Sequence, residues 1–445
     1  MSSALLLPAA PARRFSRPFA AGLFAGALIL RLALVLLLKD VTEGPTGPSC
    51  NDDVEFDHLA KTLVAGAGYL NDHGVPTSFR APGFPCFLAG LYALFGCAYP
   101  LAYVAFCLLG AVNAVLAYCL ARELLSEGYA RGVGVLTALY LGNLTVSLYF
   151  ISETLFVPLL TLGAWLFVRF LRRGGFCSLG FAGLVLGYAT LTRPFSLLLL
   201  PFWGLLLCWH FRRDFRRLVV AGLVYGLPFL APILPWTYRN YEVHGHVVLI
   251  ATNGGSTFLG GTNDLVWNNR RFWGYWVGTD QLPERPLIDA TPNEYEHDQM
   301  EWKLGKDYVR AHPGRAAAMA FLKLGSLWVR PPEMTVGESK VYWLRGLAYY
   351  PLLILMFLAF VRCLSTRSLW TPGWAALHLV ILATMITAMI FCGLARFRDA
   401  NVSLLMIYAV VGWDALRGLF SSRRASEQQN ADDRRYTSIA ANQRR

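Results

Sequence analysis

Charge is scarce in this sequence. Only 15% of its 445 residues are Asp, Glu, Lys or Arg, whereas 55% are hydrophobic. A water-soluble chain could not bury so much apolar surface, which excludes the ordinary soluble multidomain classes. The formal net charge of +12 comes from basic residues in short clusters between apolar runs. Such clusters are typical of contact with anionic lipid headgroups, so we expect a bilayer and no nucleic acid as partner.

Several chemical signatures are also missing. The nine cysteines have no CxxC spacing and mostly fall inside apolar runs, as small buried hydrophobic residues do. The Gly-rich run at 252–264 lacks the Gly-Lys-Ser/Thr of a Walker loop, and the histidines lack the spacing of a zinc site. No internal repeat is visible, which disfavours transporters built from repeated halves.

Long apolar runs are what the sequence has instead. About 20 helical residues cross the hydrocarbon core of a bilayer. The first run is too long for the core of a cleavable signal, so we interpret it as an uncleaved anchor. The predicted spans are 19–38, 98–121, 132–150, 154–171, 178–192, 195–211, 218–237, 344–362, 373–392 and 402–418.

The arginines orient these spans. They collect in alternate short connections, and this asymmetry marks the cytoplasmic side. We therefore predict an all-α polytopic membrane protein with about ten transmembrane helices and two long outward-facing loops that carry short interfacial helices. The predicted division is a cytoplasmic N-terminus (1–18), spans one to seven (19–237) with an outer catalytic loop (39–97), an outer loop (238–343), spans eight to ten (344–420) and a disordered cytoplasmic tail (421–445).

The first outer loop is rich in carboxylates. Asp52, Asp53, Glu55 and Asp57 lie within six residues, just after the first span. Left unpaired they would repel one another, which favours a bound cation or one carboxylate with a raised pKa suited to base catalysis. The alternative is an exposed acidic helix N-terminus, where carboxylates complement the helix dipole.

Charged residues also stand at the outer ends of other spans. Glu153 and Arg193 occupy two short outer turns, Arg239 follows the seventh span, and Arg396 precedes the last. Guanidinium groups at that depth suit the phosphate of a lipid carrier, because their planar fork matches phosphate oxygens. The alternative is snorkelling of these side chains to the headgroups.

The second outer loop combines turns with aromatic residues. Thr252–Asp264 is rich in Gly and Asn and is typical of turns. Beyond it Trp267, Trp273, Tyr275 and Trp276 form an aromatic patch that could stack on sugar rings or rest at the membrane interface.

In the order and spacing of such motifs, over most of residues 15–420, the chain resembles the polytopic glycosyltransferases of GT-C architecture, in particular the bacterial protein O-mannosyltransferases and lipid A aminoarabinose transferases. The motifs are Asp52-Asp-Val-Glu-Phe56, Gly66-Ala-Gly-Tyr69, Arg80-Ala-Pro-Gly-Phe-Pro85, Ser152-Glu153, Leu191-Thr-Arg-Pro194, Pro235-Trp-Thr-Tyr-Arg-Asn240, Asn253-Gly-Gly255 and Arg396-Phe397.

The resemblance implies an enzyme that moves a sugar from a polyprenyl-phosphate donor to a glycolipid, glycan or protein acceptor on the outer face of the bacterial inner membrane. It makes Asp52 the catalytic carboxylate, with Asp53 beside it, and a divalent cation such as Mg²⁺ or Mn²⁺ optional. No sizeable soluble domain follows the last predicted span, so we expect the two outer loops to select the acceptor. The expected phosphate ligands are Arg193, Arg239 and Arg396, and the supporting or acceptor-side residues are Glu55, Asp57, Arg80, Glu153, Asn253 and Trp273.

A transporter or flippase of lipid-linked sugars is the alternative, since it would have the same hydropathy. A pump would more naturally place ionisable residues in mid-span, where Arg31 is the clear case in this sequence. The charges crowd the outer ends of the spans instead, which favours the enzyme.

Overall fold

The structure, a computed structural model, describes residues 16–45, 52–330 and 339–420. Over these ranges the regular secondary structure is helical, with no β-strand and a single isolated bridge between Leu70 and Pro76. The predicted tail 421–445 and nearly all of the predicted N-terminal segment 1–18 lie outside the described residues. The all-α prediction is confirmed for the part that is described.

The described residues form α-helices and short 3₁₀ turns. They are α1 Arg17–Leu38, α2 Asp52–Val64, α3 Gly83–Phe95, α4 Tyr99–Leu124, α5 Glu127–Leu139, α6 Leu141–Val146, α7 Glu153–Arg173, α8 Phe176–Thr192, α9 Leu199–His210, α10 Phe215–Leu230, α11 Ile233–His244, α12 Gly254–Gly260, α13 Asp264–Asn268, α14 Arg285–Asp289, α15 Glu294–Ala311, α16 Pro313–Val329, α17 Ser339–Ser365, α18 Pro372–Ile390, α19 Ala395–Asp399 and α20 Val402–Phe420, with 3₁₀ turns at Pro194–Leu198, Arg270–Phe272, Thr279–Gln281 and Arg367–Trp370.

The helices make this a multi-pass membrane protein, but the predicted count of about ten spans is not confirmed. Six helices in the described ranges are long and apolar enough to cross a bilayer: α1, α4, α7, α17 from Gly346, α18 and α20. The pair α10 and α11, bent by 45°, would make a seventh.

The other predicted spans are shorter or broken. The runs 178–192 and 195–211 become the apolar helices Phe176–Thr192 and Pro194–His210, each of 17 residues or fewer. The run 132–150 is divided at Tyr140, whose extended backbone (φ −62°, ψ 120°) ends α5 before α6 begins. Hydropathy alone did not reveal this break, because the residues on both sides of it remain apolar.

Small residues allow the helices to pack closely. A Cβ atom at Gly183 or Gly187 of α8 would overlap the carbonyl oxygen of Tyr225 or Phe229 on α10. Two glycines spaced four apart therefore bring the backbones of α8 and α10 into contact, as small-residue stripes do in membrane helix pairs.

Both predicted outer loops contain helices. The first contains α2 and the apolar helix α3, and the second contains α12 to α16. A cluster of buried apolar side chains centred on Leu259, Val266, Ile288 and Met319 gives the second loop a core of its own. These segments are therefore packed structures that can hold side chains in fixed positions.

Candidate functional site

A cavity of about 890 Å³ lies where the two outer segments meet the helix ends. Its walls come from the start of α2, the turn before α3, the connections α6–α7 and α8–α9, the turn leading into α12, and the segment between α18 and α20. These parts are far apart in the sequence, so tertiary packing alone creates the cavity.

Asp52, the first residue of α2, lines this cavity between two guanidinium groups. Its Oδ1 accepts from Nη2 of Arg80 at 2.8 Å, and its Oδ2 accepts from Nη1 of Arg396 at 3.1 Å. Arg80 also donates through Nε to Oε2 of Glu55 at 2.5 Å. Two arginines more than 300 residues apart in sequence thus hold one carboxylate.

Glu153, the first residue of α7, is the second carboxylate at this end. Its side chain is only 4% exposed. Arg396 donates to it through Nε at 2.6 Å and Nη2 at 3.1 Å, while Nη1 of Arg193 lies 2.5 Å from Oε1. Planar bidentate pairs of this kind are the strong form of the carboxylate–guanidinium bond.

These contacts form one continuous chain of alternating charge, which we call the ion network. Three acidic and three basic side chains make it neutral in sum when all are ionised. Its members, in order of contact, are Glu55, Arg80, Asp52, Arg396, Glu153 and Arg193.

The electrostatics of Asp52 are set by its two arginine partners. Burial raises the pKa of this carboxyl, but the positive charges of Arg80 and Arg396 outweigh burial, and the net pKa is below its usual value. Of the two possibilities that the sequence left open for the acidic cluster, Asp52 therefore shows contact with cations, here two guanidinium groups, and not a raised pKa. Asp52 is an ionised carboxylate at neutral pH.

Two further carboxylates of α2, Asp53 and Asp57, face away from the ion network. Asp53 is buried away from the cavity lining and accepts from the backbone N–H of Val54. Asp57 accepts from the Tyr92 hydroxyl at 2.6 Å and pairs with Lys61 at 2.7 Å. In a helix, neighbours in sequence point in different directions, so Asp52 reaches the cavity and Asp53 does not.

Arg239 is also placed outside the cavity lining. Its guanidinium donates to the carbonyl oxygens of Thr77 at 2.6 Å and Tyr69 at 3.1 Å, and it lies over the Trp236 ring. These contacts fix the turn that carries Arg80.

Glu294 of α15 fixes the same turn from the second outer segment. It accepts from the Thr77 hydroxyl at 2.6 Å and from the Ser78 N–H at 2.8 Å. Thr252 donates to it as well, at 2.5 Å. One carboxylate therefore joins the two outer segments beside Arg80.

The second outer segment gives the cavity a polar, uncharged side, formed by Asn253, Ser256, Thr257 and Trp276, which we call the polar wall. Asn253 was predicted, whereas Trp273 lies outside the lining and donates its Nε1–H to the Trp267 carbonyl. Of the residues in the aromatic patch, Trp276 lines the cavity. The sequence does not show which of these neighbouring aromatic residues faces the cavity.

Sequence reasoning missed Asp399, which also lines the cavity. Its Oδ1 accepts from the Tyr140 hydroxyl at 2.9 Å and from Nε of Arg398 at 3.0 Å, and burial raises its pKa. The available signal was its position three residues after Arg396 in a short polar segment between two apolar runs.

Much of the remaining lining is apolar. Val157, Phe195, Leu197, Leu198 and Ile390 belong to α7, the 3₁₀ turn after α8, and α18. The cavity therefore joins an ion network, a polar wall and a hydrophobic surface, which can accept a ligand with a charged group, a polar group and a hydrocarbon tail.

The described residues do not suit a divalent cation in this arrangement. No group of three His, Cys, Asp or Glu side chains among them is placed to hold a metal ion. The ion network's carboxylates at the cavity, Asp52 and Glu153, are both occupied by guanidinium groups. Hard cations such as Mg²⁺ need several such oxygens together.

One family model matches part of the chain. Residues 79–236 match the family described as dolichyl-phosphate-mannose-protein mannosyltransferase. No curated protein is significantly similar in sequence. The matched region contains Arg80, Glu153 and Arg193, three of the six members of the ion network.

Solved structures share the fold. An oligosaccharyltransferase from Archaeoglobus fulgidus in its apo form is similar with a TM-score of 0.55 at 13% identity, over 93% of this chain and 52% of that one. The archaeal oligosaccharyltransferase AglB from the same organism, in complex with an inhibitory peptide and a dolichol-phosphate, is similar with a TM-score of 0.53 at 14% identity, over 92% of this chain and 52% of that one. This chain thus spans about half the length of those enzymes.

ArnT from Cupriavidus metallidurans, bound to undecaprenyl phosphate, is also similar at 14% identity over 90% of this chain and 78% of that one. Its TM-score of 0.38 is too low to support an argument. The family model and the oligosaccharyltransferase fold together confirm the resemblance to the GT-C architecture.

Proposed function

We propose that this multi-pass membrane protein of GT-C architecture is a glycosyltransferase that takes its sugar from a polyprenyl-phosphate donor and passes it to a hydroxyl acceptor at the outer face of the inner membrane. A glycolipid, a glycan or a protein could supply that hydroxyl. The observation that carries the proposal is the cavity itself, whose ion network, apolar lining and polar wall correspond to the phosphate, the hydrocarbon tail and the sugar of one donor molecule.

The donor phosphate is assigned to the arginines of the ion network. Because the network is neutral, a phosphate binds best by replacing a carboxylate on guanidinium groups already in place. Arg80 and Arg396 both touch Asp52, so a phosphate between them would displace it. Arg193, held by Glu153, is the third candidate. Arg239 is not assigned to the phosphate, because its guanidinium group already donates to backbone carbonyl oxygens.

Asp52 is assigned to the acceptor hydroxyl. In the transfer, the acceptor oxygen bonds to the anomeric carbon, the bond from that carbon to the phosphate oxygen breaks, and the hydroxyl proton passes to the carboxylate. A phosphate that draws Arg80 and Arg396 away would raise the pKa of Asp52 towards its usual value, so donor binding makes it a better base. The arginines meanwhile stabilise the charge on the departing phosphate.

We also propose that transfer needs no divalent cation. The guanidinium groups occupy the carboxylates that would bind one, and they supply the positive charge for the leaving group. Donor turnover should keep its rate in excess EDTA after the protein has been passed over a chelating resin. A loss of rate that Mg²⁺ or Mn²⁺ restores would contradict this.

The experiment uses the purified full chain in nanodiscs of native lipid extract, with a panel of radiolabelled polyprenyl-phosphate sugars. Asp52→Asn should lower transfer by roughly a hundredfold or more, the usual effect of losing a general base. Asp53→Asn is the matched control, because that neighbour lies outside the cavity lining. It should keep transfer within a few-fold of the natural chain.

The outcomes separate the proposals. Equal transfer by the natural chain and Asp52→Asn would remove Asp52 from the reaction. Loss of transfer in Asp53→Asn, with transfer retained in Asp52→Asn, would make Asp53 the base. Saturable binding of a lipid-linked sugar without turnover of any donor would favour a flippase.

A further inference from the structure

The polar wall has features that the ion network does not explain. Trp276 lines the cavity and the residue is 40% exposed, so packing leaves part of it uncovered. Its Nε1–H donates to the Ser256 carbonyl at 3.0 Å. A Cβ atom at Gly260 would overlap the indole, so the ring rests directly on that glycine's backbone. The indole is thus fixed in place with a surface left open.

The backbone that carries the wall is held from behind. The Gly255 N–H donates to Oδ1 of Asp298 at 2.6 Å. The Trp302 ring packs against Gly254 and stacks on Phe258 with 4.9 Å between ring centroids. A wall anchored in this way is ordered before any ligand binds, which lowers the entropy cost of binding.

The chemistry of the wall matches a sugar ring. Asn253 precedes α12 without a side-chain capping bond to it, so its carboxamide is not used to start that helix. Ser256 and Thr257 lie beside it, and their hydroxyl groups donate to the Asn253 carbonyl oxygen at 3.1 and 2.8 Å, which leaves the hydroxyl oxygens as acceptors. A pyranose ring presents C–H bonds on one face and hydroxyls at its edge, which suits an indole face bordered by amide and hydroxyl groups.

We propose that Trp276 is the stacking platform of a sugar subsite, bordered by Asn253, Ser256 and Thr257, and that the subsite takes an uncharged pyranose. The absence of ionisable groups from these four side chains gives the preference for a neutral ring over an amino sugar or a uronic acid. The inference rests on the proposed function, because it assigns the sugar part of a ligand whose phosphate is assigned to the ion network.

The test measures binding to the full chain in nanodiscs, with three probes. They are undecaprenyl phosphate, the same lipid phosphate carrying glucose, and ethyl glucoside, which has a sugar and no phosphate. Trp276→Ala should weaken binding of the glucosylated lipid by about tenfold and leave the bare lipid phosphate within twofold. Trp276→Phe should retain most of the affinity. Trp273→Ala is the matched control from the same aromatic patch, outside the lining.

Each result decides a point. If the glucosylated lipid is unaffected but ethyl glucoside binding is lost, the subsite holds the sugar of the acceptor. Equal weakening of both lipids, or no change with any probe, would overturn the assignment. If the natural chain binds no lipid phosphate, the proposed function fails. The effect of Trp276→Ala on ethyl glucoside binding then tests the role of Trp276 by itself. Tighter binding of lipids carrying an amino sugar or a uronic acid would contradict the neutral-ring preference.

Discussion

At the scale of single residues, the site depends on paired charges. Glu153 and Arg193 are nearly buried, and each is tolerated because the other neutralises it. Removing one member of such a pair leaves an uncompensated charge, which costs about 3–5 kcal/mol in buried cases. The ion network is therefore both a binding device and a structural element.

Glu153→Gln should damage both functions. The variant leaves Arg193 and Arg396 without their shared carboxylate, so we expect a melting temperature several degrees lower and a large loss of transfer. Thermal unfolding in detergent and donor turnover at a temperature where the variant remains folded check the two effects separately.

The matched control is Asp72→Asn. That carboxylate is 80% exposed on the first outer loop, and its loss should change neither property. A Glu153→Gln variant as stable and active as the natural chain would contradict a structural and functional role for the pair.

The pH dependence of the free enzyme follows from the lowered pKa of Asp52. A carboxyl with a depressed pKa stays ionised as pH falls and is lost as a base only below that pKa. The kcat/KM for the donor, which reports the free enzyme, should show no acid limb from this group above about pH 4.

The acid limb of the kcat profile, which reports the enzyme–donor complex, should lie at higher pH than that of kcat/KM. The reason is that the donor phosphate draws the arginines away from Asp52 and so raises its pKa. Circular dichroism at each pH excludes unfolding as the cause of a lost rate. An acid limb in kcat/KM near pH 6 would contradict the assignment.

At the scale of helices, the contact between α8 and α10 depends on glycine. A methyl group at Gly187 would overlap the Phe229 carbonyl, whereas one at Gly180 would make an ordinary contact with Val224 at 3.5 Å. The two positions lie on the same helix and differ in the space available beside them.

Gly187→Ala should therefore lower the melting temperature, since overpacking a tight contact costs about 1–3 kcal/mol. Gly180→Ala should be neutral or stabilising, because alanine favours a helix by about 1 kcal/mol over glycine. Thermal unfolding of both variants in the same detergent tests the pair. Equal melting temperatures would mean that the backbones are not in close contact.

At the scale of the whole molecule, the proposed function requires the cavity to open on the outer face. The arginine distribution predicts cytoplasmic ends for the chain. A green fluorescent protein fused after residue 445 should fluoresce, whereas alkaline phosphatase fused there should be inactive. A cysteine at position 72, in an otherwise cysteine-free variant, should react with an impermeant maleimide added to spheroplasts. The reverse pattern would place the cavity on the cytoplasmic side.

The sequence by itself determined the membrane class, the all-helical architecture and the main candidate residues. Hydropathy is a local property, so the order of residues is enough to identify the long apolar runs. Glu153, Arg193 and Arg396 were selected as charged groups at the outer ends of spans, Asp52 from the acidic first loop, and Arg80 from a motif of the family resemblance. The structure brings these five together.

Only the tertiary structure decided which neighbour faces the cavity and how the charges pair. Asp52 points in and Asp53 away, and Trp276 lines the cavity where Trp273 does not. The lowered pKa of Asp52 depends on Arg80 and on Arg396, which lies 344 residues later in the chain than Asp52. Long-range packing sets which side chains face the cavity and which charges pair, and the local pattern of a sequence does not encode it. Hydropathy likewise does not reveal the helix break at Tyr140.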